Sequence, residues 1–183
     1  MVDEFAHLRE RGLTQESVYR GSLLKIRVDT VALPDGSITN REIVEHPGAV
    51  AIAPVTKDGQ VVLVRQFRYP ISRITLELPA GRLEWGEDAE QTCRRELAEE
   101  TGLSAGKLER LGQVVVAPGY SNEQISIYLA TDLQEGLAHP EKDEFIETIT
   151  LPLAEAYAMI DRGEIQDSKT IIGLCWLQRR GFK

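Results

Sequence analysis

The pattern of apolar and polar positions in the first third of the chain predicts β-strands. Residues 24–31, LKIRVDTV, alternate apolar and polar side chains, which is typical of a strand with one buried face. The PDGS turn and the segment after it predict a second strand, paired as a hairpin. Residues 49–55 and 60–67 are almost continuously apolar, so we expect central strands covered on both faces. We therefore assign a small β subdomain to residues 1–47 and the main domain to residues 48–183.

Helical periods appear further along the chain. Ala89, Cys93 and Leu97 form an apolar stripe with a spacing of four residues, which predicts a helix. Asp88 is suited to cap its N-terminus and Gly102 its C-terminus. Strands combined with helices on both faces predict an α/β fold, an α/β/α sandwich with a mixed β-sheet. Further strands are expected near 107–116, 124–131 and 145–150, and helices at 152–163 and 168–181.

Composition and charge narrow the class of protein. The chain has 183 residues, of which 42% are hydrophobic and 27% charged, as in an ordinary globular protein. Acidic residues outnumber basic ones by 29 to 21, and the net charge of −8 argues against general nucleic-acid binding. Cys93 and Cys175 form no CxxC motif, which favours a reducing cytoplasm. We expect neither a signal peptide nor a membrane span, because no apolar run approaches about 18 residues.

Three glutamates lie close together in the segment RRELAEETGL, residues 94–103. With about 3.6 residues per helical turn, Glu96, Glu99 and Glu100 share one arc of roughly 100°. Like charges at this spacing repel one another, by about 0.2–0.5 kcal/mol per pair. Two interpretations are open: a solvated acidic face, or a set of hard oxygen ligands for Mg²⁺ or Mn²⁺.

The residues around these glutamates favour the second interpretation. From Gly81 to Leu103 the chain matches the pattern G-x5-E-x7-R-E-U-x-E-E-x-G-U, in which U is aliphatic. This pattern is the signature of the Nudix hydrolase family, which the chain therefore resembles. At background frequencies the seven invariant positions would match by chance about once in 10⁸ registers, so the resemblance is specific.

The resemblance implies a divalent-metal site on the predicted helix. Glu96 and Glu100 would ligate the metal, with Glu99 bridging metal ions through the same arc. The carbonyl of Ala80, just before the signature, often adds a ligand in this family. The cofactor implied is Mg²⁺, with Mn²⁺ as an alternative.

Three other signature residues would shape the site. The resemblance implies that Arg95 pairs with Glu87 and holds the preceding loop against the helix. The alternative is an incidental surface ion pair, worth only about 0–1 kcal/mol. Gly81 would let the loop backbone approach the substrate closely.

Nudix enzymes hydrolyse a nucleoside diphosphate linked to another group, so the resemblance implies this chemistry here. Water would attack one phosphorus in line, while bound metal polarises the phosphoryl oxygens and lowers the pKa of the water. The N-terminal subdomain resembles that of the ADP-ribose and nucleoside-diphosphate-sugar branch, where it builds a domain-swapped homodimer. The resemblance therefore implies a homodimer in which this subdomain covers the partner's site.

Two segments after the signature resemble the same branch. Pro118 lies 15 residues after Leu103 in a Pro-Gly pair, as in the ADP-ribose pyrophosphatases; the alternative is an ordinary turn. The segment AHPEKDEFIE resembles the acidic loop that supplies the catalytic base. Glu144 is our first choice for this base, with Glu141 and Asp143 as alternatives.

Five more residues are candidates for substrate contacts. Arg65 and Arg68 lie on or just after an apolar strand and need an anionic partner, either a substrate diphosphate or the carboxylates of the signature. Arg41 and Glu42 resemble an Arg-Glu pair that contacts the base from the partner subunit; an exposed strand pair is the alternative. Glu123 would contact metal or substrate.

Our leading hypothesis is a metal-dependent pyrophosphohydrolase that cleaves ADP-ribose or related nucleoside diphosphate sugars to a nucleoside monophosphate and a sugar phosphate. The alternatives within the enzyme class are hydrolysis of dinucleoside polyphosphates, NADH or GDP-mannose on the same scaffold. The alternative outside it is a non-catalytic nucleotide sensor, which the intact signature disfavours. A fold of this kind serves many substrates, so the choice among them rests on family analogy.

Overall fold

The computed structural model describes residues 4–140 and 144–183. The chain divides into two compact units. The first contains the chain up to His46 together with Val115–Gln124, and the second contains Pro47–Val114 and Ile125–Lys183. Each unit has its own β-structure and is described separately below.

The first unit is built on a three-stranded antiparallel sheet. The hairpin predicted around PDGS is present, and Gly36 takes a φ of 86° in the turn, a conformation that favours glycine. A preceding strand was not predicted, because all ten of its residues are exposed and show no apolar alternation. A short 3₁₀ helix at Ala6–Leu8 is followed by β1 (Arg11–Arg20), β2 (Lys25–Ala32) and β3 (Ile38–Glu45).

The strands described in the second unit are β4 (Ala49–Pro54), β5 (Gln60–Arg68), β6 (Arg73–Glu77), β7 (Ala80–Arg82), β8 (Leu103–Val115), β9 (Gln124–Glu135) and β10 (Ile146–Pro152). They form two sheets. The larger has the order β7-β4-β9-β8, and it is mixed because β4 is parallel to β9 and antiparallel to β7. The smaller is antiparallel, with the order β10-β5-β6. Although consecutive, β4 and β5 lie in different sheets.

In the described part of this unit, the sheets are covered by helices α1 (Ala89–Thr101), α2 (Leu153–Asp161) and α3 (Ser168–Arg179). Strand β4 is buried between two of them. Val50 shares a core cluster with Leu97 of α1, whereas its neighbour Ala51 packs with Trp176 of α3, because successive strand residues face opposite sides. The predicted α/β class with a mixed sheet is therefore confirmed. No helix in the described part of the chain is long and apolar enough to cross a membrane.

A buried ion cluster joins the smaller sheet to α3. The Glu77 carboxylate, on a residue only 2% exposed, accepts hydrogen bonds from Nε and Nη2 of Arg68 at 2.9 and 2.7 Å. It also accepts one from Thr75 Oγ1 at 2.6 Å and one from Lys169 Nζ, which pairs with Asp167 at 3.0 Å. Burial by itself raises the pKa of Glu77, but the Arg68 hydrogen bonds and the Lys169 charge outweigh it and lower the pKa to about 2.

We expect Glu77→Gln to lower the free energy of unfolding near neutral pH by about 3 kcal/mol, because each unit of pKa shift is worth about 1.4 kcal/mol. Since the folded-state pKa is depressed, this stabilisation is present above the unfolded pKa of about 4.3 and is lost as the pH falls through about 2. Urea titrations should therefore show a difference between wild type and variant that shrinks from about pH 7 to about pH 3.

The exposed Glu135 offers a matched control, and Glu135→Gln should change the free energy of unfolding by less than about 0.5 kcal/mol. An equal loss for Glu77→Gln at both pH values would contradict the ion-cluster explanation.

Candidate functional site

Helix α1 carries the acidic face predicted from the sequence. Asp88 caps its N-terminus by accepting two backbone hydrogen bonds of 3.0 Å. Gly102 ends it with a φ of 73°, the left-handed conformation typical of a glycine cap. Between these caps the helix places Glu96, Glu99 and Glu100 in its last two turns, with Glu96 and Glu100 buried.

Glu100 is the most deeply buried of the three glutamates, at 4% exposure. Its Oε2 accepts a hydrogen bond of 3.0 Å from the backbone N–H of Ala80. Burial raises the pKa of Glu100 to about 8; the Ala80 hydrogen bond opposes the rise, the charges of Glu96 and Glu144 add to it, and Arg68 opposes it. The site is therefore a place where negative charge is concentrated and incompletely compensated.

Glu96 lies directly against the backbone of β7. A β-carbon built on Gly81 would lie 1.9 Å from both Cδ and Oε1 of Glu96, so no other residue fits at position 81 while Glu96 keeps this position. Burial also raises the pKa of Glu96. Gly81 pairs with Val50 in the sheet, which fixes the backbone that Glu96 contacts.

The Arg95 guanidinium lies among the carboxylates. Its Nη1 is 2.8 Å from Glu96 Oε1 and 2.9 Å from Glu99 Oε2, and its Nη2 is 3.6 Å from Glu87 Oε1. Glu87 in turn accepts a hydrogen bond of 2.9 Å from the backbone N–H of Glu84, which lowers the pKa of Glu87. Arg95 thus contacts both the loop before the helix and the glutamates on it, with the shorter distances to the glutamates.

The carboxylates of α1 are oxygen ligands of the kind that bind a hard divalent cation. Carboxylates are the ligands that Mg²⁺ and Mn²⁺ prefer, and a cation would compensate the buried charge of Glu96 and Glu100. Among residues 4–140 and 144–183, no three His, Cys, Asp or Glu side chains are already arranged as a metal site. Because Arg95 lies between Glu96 and Glu99, their carboxylates must turn to share an ion. The ligand set Ala80, Glu96, Glu99 and Glu100 stays a prediction.

The structure separates the two arginines predicted to need an anionic partner. Arg68 holds Glu77 with two hydrogen bonds, and its charge acts on Glu100. Arg65 is exposed and pairs with Glu147 on the adjacent strand at 2.9 Å. The two residues are three apart on β5 and so face opposite sides of the sheet. Of these two arginines, Arg68 is the one with a described electrostatic effect on a carboxylate of α1.

The sequence analysis did not identify Glu77, the residue that binds Arg68. Glu77 is a single acid in the apolar segment ITLELPA, and a charge in such a position requires a partner. The need for a partner of Glu77 was therefore visible in the sequence. The cations that bind its carboxylate, Arg68 and Lys169, are however 9 and 92 residues away. Neither pairing follows from local spacing.

Two predicted contact residues lie next to each other on β3, in the first unit. Arg41 binds Glu10 through Nε and Nη2, at 3.1 and 2.6 Å. Glu42 is exposed and, as the next strand residue, projects from the other face of the sheet.

The other two predicted contact residues, Pro118 and Glu123, lie in the segment Val115–Gln124 of the first unit. Pro118 is in a turn, and Glu123 Oε1 is 3.8 Å from His46 Nδ1. The segment is held to the end of β3 by a hydrogen bond of 2.8 Å from the His46 backbone N–H to Asn122 Oδ1.

The three candidates for the catalytic base divide between described and undescribed residues. Glu141 and Asp143 lie outside the residues that the structure describes. Glu144 is described, and its charge raises the pKa of both Glu96 and Glu100. The acidic loop therefore brings at least one carboxylate into the electrostatic range of the α1 site.

The chain belongs to the Nudix family, since the NUDIX domain model matches residues 45–172. The model of the nucleoside diphosphate sugar hydrolase N-terminal domain matches residues 13–44 immediately before it. The resemblance to the ADP-ribose and nucleoside-diphosphate-sugar branch is thereby confirmed, and the protein is a Nudix hydrolase.

Several curated relatives are similar over most of their length. An ADP-ribose pyrophosphatase of Bacillus subtilis (strain 168) is 39% identical over 173 residues, covering 93% of this chain and 94% of its own. A methanol dehydrogenase activator of Bacillus methanolicus is 42% identical, covering 92% of each chain. A GDP-mannose pyrophosphatase of Enterobacter sp. (strain 638) is 35% identical, covering 78% of this chain and 79% of its own.

Comparison with solved structures confirms the fold. The crystal structure of an ADP compounds hydrolase superposes with a TM-score of 0.83 at 23% sequence identity. The match covers 96% of this chain and 97% of the other.

We expect Gly81→Ala to reduce hydrolytic activity about 100-fold, because the new methyl group would take the place of the Glu96 carboxylate. The Glu96 side chain is flexible and is able to turn away, so the variant should fold with a melting temperature close to that of wild type. Steady-state kinetics and thermal unfolding measure the two effects.

Gly12→Ala is the control, because a β-carbon at Gly12 has no neighbour within 4 Å. Full activity in Gly81→Ala would show that Glu96 does not need its position against β7.

Proposed function

We propose that this protein hydrolyses the diphosphate of ADP-ribose or a related nucleoside diphosphate sugar, giving a nucleoside monophosphate and a sugar phosphate. The observation that carries the proposal is the cluster of α1 carboxylates held against Ala80 and Gly81, in a chain of this family. The names of two relatives, ADP-ribose pyrophosphatase and GDP-mannose pyrophosphatase, support this class of substrate.

The proposed cofactor is Mg²⁺, with Mn²⁺ as an alternative. Glu96, Glu99 and Glu100 would hold it, with the Ala80 carbonyl as a further ligand. When bound, such an ion polarises phosphoryl oxygens and lowers the pKa of water. The burial of Glu100 supports this assignment, because a buried carboxylate whose described donor is a backbone N–H is costly without a nearby cation.

The remaining roles follow from the contacts of each side chain. Glu144 would take the proton of the attacking water as general base, and its electrostatic effect on Glu96 and Glu100 supports this role. Arg68 would bind the diphosphate through the guanidinium edge that does not face Glu77. Arg95 and Glu87 would hold the loop that precedes α1.

The first unit would complete the substrate site within a homodimer. Arg41 and Glu42 would contact the base from the partner subunit, with Pro118 and Glu123 shaping the site. Support comes from the nucleoside diphosphate sugar hydrolase N-terminal domain matched at residues 13–44. Arg65 fits this scheme less well, because Glu147 already pairs with it.

Other functions on the same scaffold remain alternatives. GDP-mannose is favoured by the name of one relative, while NADH and dinucleoside polyphosphates rest on the scaffold alone. A non-catalytic sensor is disfavoured by the intact acidic face of α1. The cytoplasmic location and the lack of a nucleic-acid partner stay predictions.

We expect purified protein with Mg²⁺ to convert ADP-ribose to AMP and ribose 5-phosphate much faster than it hydrolyses ATP. Chromatography of products from ADP-ribose, GDP-mannose, NADH, diadenosine polyphosphates and ATP measures this preference. EDTA should abolish the activity, and Glu100→Gln should lower kcat by at least about 100-fold, because charge stabilisation at a bound metal is worth several kcal/mol.

Three other outcomes of these assays would change the proposal. Faster turnover of GDP-mannose would keep the chemistry and change the substrate. Full activity in Glu100→Gln would refute the metal-ligand assignment. Nucleotide binding without any turnover would favour the sensor.

We expect a homodimer in solution, with a mass by light scattering near twice the 20.4 kDa of one chain. If sites are shared between subunits, co-expressing Arg41→Ala and Glu100→Gln chains should restore about one quarter of wild-type activity, because mixed dimers contain one intact site. A monomer would refute the shared site. A dimer without restored activity would place Arg41 and Glu100 of each site in the same chain.

A further inference from the structure

The segment that leads into the acidic loop is attached to the C-terminal end of α1. Residues 136–140 follow β9, and Gly136 lies against Gly102, the glycine that ends the helix. Glu144 follows eight residues after Gly136, and β10 begins two residues after Glu144.

Two glycines allow the backbones to approach more closely than any side chain permits. A β-carbon on Gly102 would lie 2.8 Å from the Ala138 nitrogen and 2.9 Å from the Gly136 oxygen. A β-carbon on Gly136 would lie 2.9 Å from the Gly102 oxygen. Gly102 also needs its left-handed φ as a helix cap, but Gly136 has no positive φ, so close contact is the reason for glycine there.

The loop also satisfies carbonyl groups that a helix end leaves without partners. The His139 backbone N–H donates a hydrogen bond of 3.0 Å to the Glu99 carbonyl. On the far side of the loop, Thr148 Oγ1 donates a longer bond of 3.4 Å to the Glu100 carbonyl. The main chain of the two glutamates thus holds both ends of the loop, while their side chains form the acidic face.

We propose that the Gly102–Gly136 contact and the Glu99–His139 hydrogen bond, together called the loop anchor, position Glu144 over the α1 carboxylates for hydrolysis. Glu144 lies between the two attachment points, five residues after His139 and four before Thr148. The inference rests on the proposed function, in which Glu144 is the general base. Gly136 and His139 are positioning residues, because they act through Glu144 and not on the substrate.

The first test is Gly136→Ala, with Gly12→Ala as the matched control. The added methyl group would push the loop away from α1, and a misplacement of about 1 Å in a catalytic group costs up to about 100-fold in rate. We expect kcat to fall about 10- to 100-fold, with the KM for ADP-ribose, the Mg²⁺ activation constant and the melting temperature close to wild type. Gly12→Ala should leave all four unchanged.

A double variant separates positioning from general damage to the fold. If the anchor acts only through Glu144, adding Gly136→Ala to Glu144→Gln should lower kcat no further than Glu144→Gln alone. A purely structural effect would instead multiply the two losses.

A second pair of variants tests the hydrogen bond without enlarging a glycine. His139→Pro removes the N–H that binds Glu99, whereas His139→Ala keeps it. Because His139 precedes Pro140, its backbone already favours the extended region that a proline accepts. We expect a lower kcat for His139→Pro and a wild-type kcat for His139→Ala.

Several results would overturn the loop anchor. These are wild-type kcat in Gly136→Ala and His139→Pro, multiplicative losses in the double variant, or full activity in Glu144→Gln. If Gly136→Ala fails to fold, the His139 pair decides. An inactive wild-type protein would refute the proposed function itself, whereas an active one with multiplicative losses would refute the anchor alone.

Discussion

The burial of two neighbouring carboxylates at the C-terminal end of α1 is the constraint on which much of the second unit depends. Glu96 and Glu100 repel each other, and both have a raised pKa. Their neighbours are adapted to them: the Ala80 N–H binds Glu100, and Gly81 leaves room for Glu96. A protein accepts such a cost where it serves a function, and perturbed carboxylates in one cluster are typical of an active site.

Another buried carboxylate of the second unit, that of Glu77, has a pKa shift in the opposite direction. Glu77 has Arg68 and Lys169 as direct partners, and its pKa falls to about 2. Glu100 is also buried, its direct donor among the described residues is the backbone N–H of Ala80, and its pKa rises to about 8. The difference lies in the partners and not in the burial: Glu77 belongs to an ion cluster that joins a sheet to a helix, whereas the raised pKa of Glu100 agrees with its proposed role as a cation ligand.

The relatives show how little a shared scaffold says about substrate. Proteins named as an ADP-ribose pyrophosphatase and a methanol dehydrogenase activator have nearly equal identity to this chain over most of its length. A third, named as a GDP-mannose pyrophosphatase, is only slightly more distant. A fold of this kind carries the hydrolytic machinery, whereas substrate choice depends on side chains around it. For this reason the family is established and the substrate is a proposal.

The sequence by itself determined the local features of this protein. The apolar stripe predicted α1 and its caps, and the spacing from Gly81 to Leu103 placed three carboxylates on one arc, because helical periodicity is a local property. The sequence did not predict β1, whose exposed residues show no apolar and polar alternation. It also did not predict that β4 and β5 lie in different sheets. Only the tertiary structure paired Glu77 with Lys169, 92 residues away, and set Gly136 against Gly102. Such contacts depend on the packing of distant segments, which no local pattern encodes.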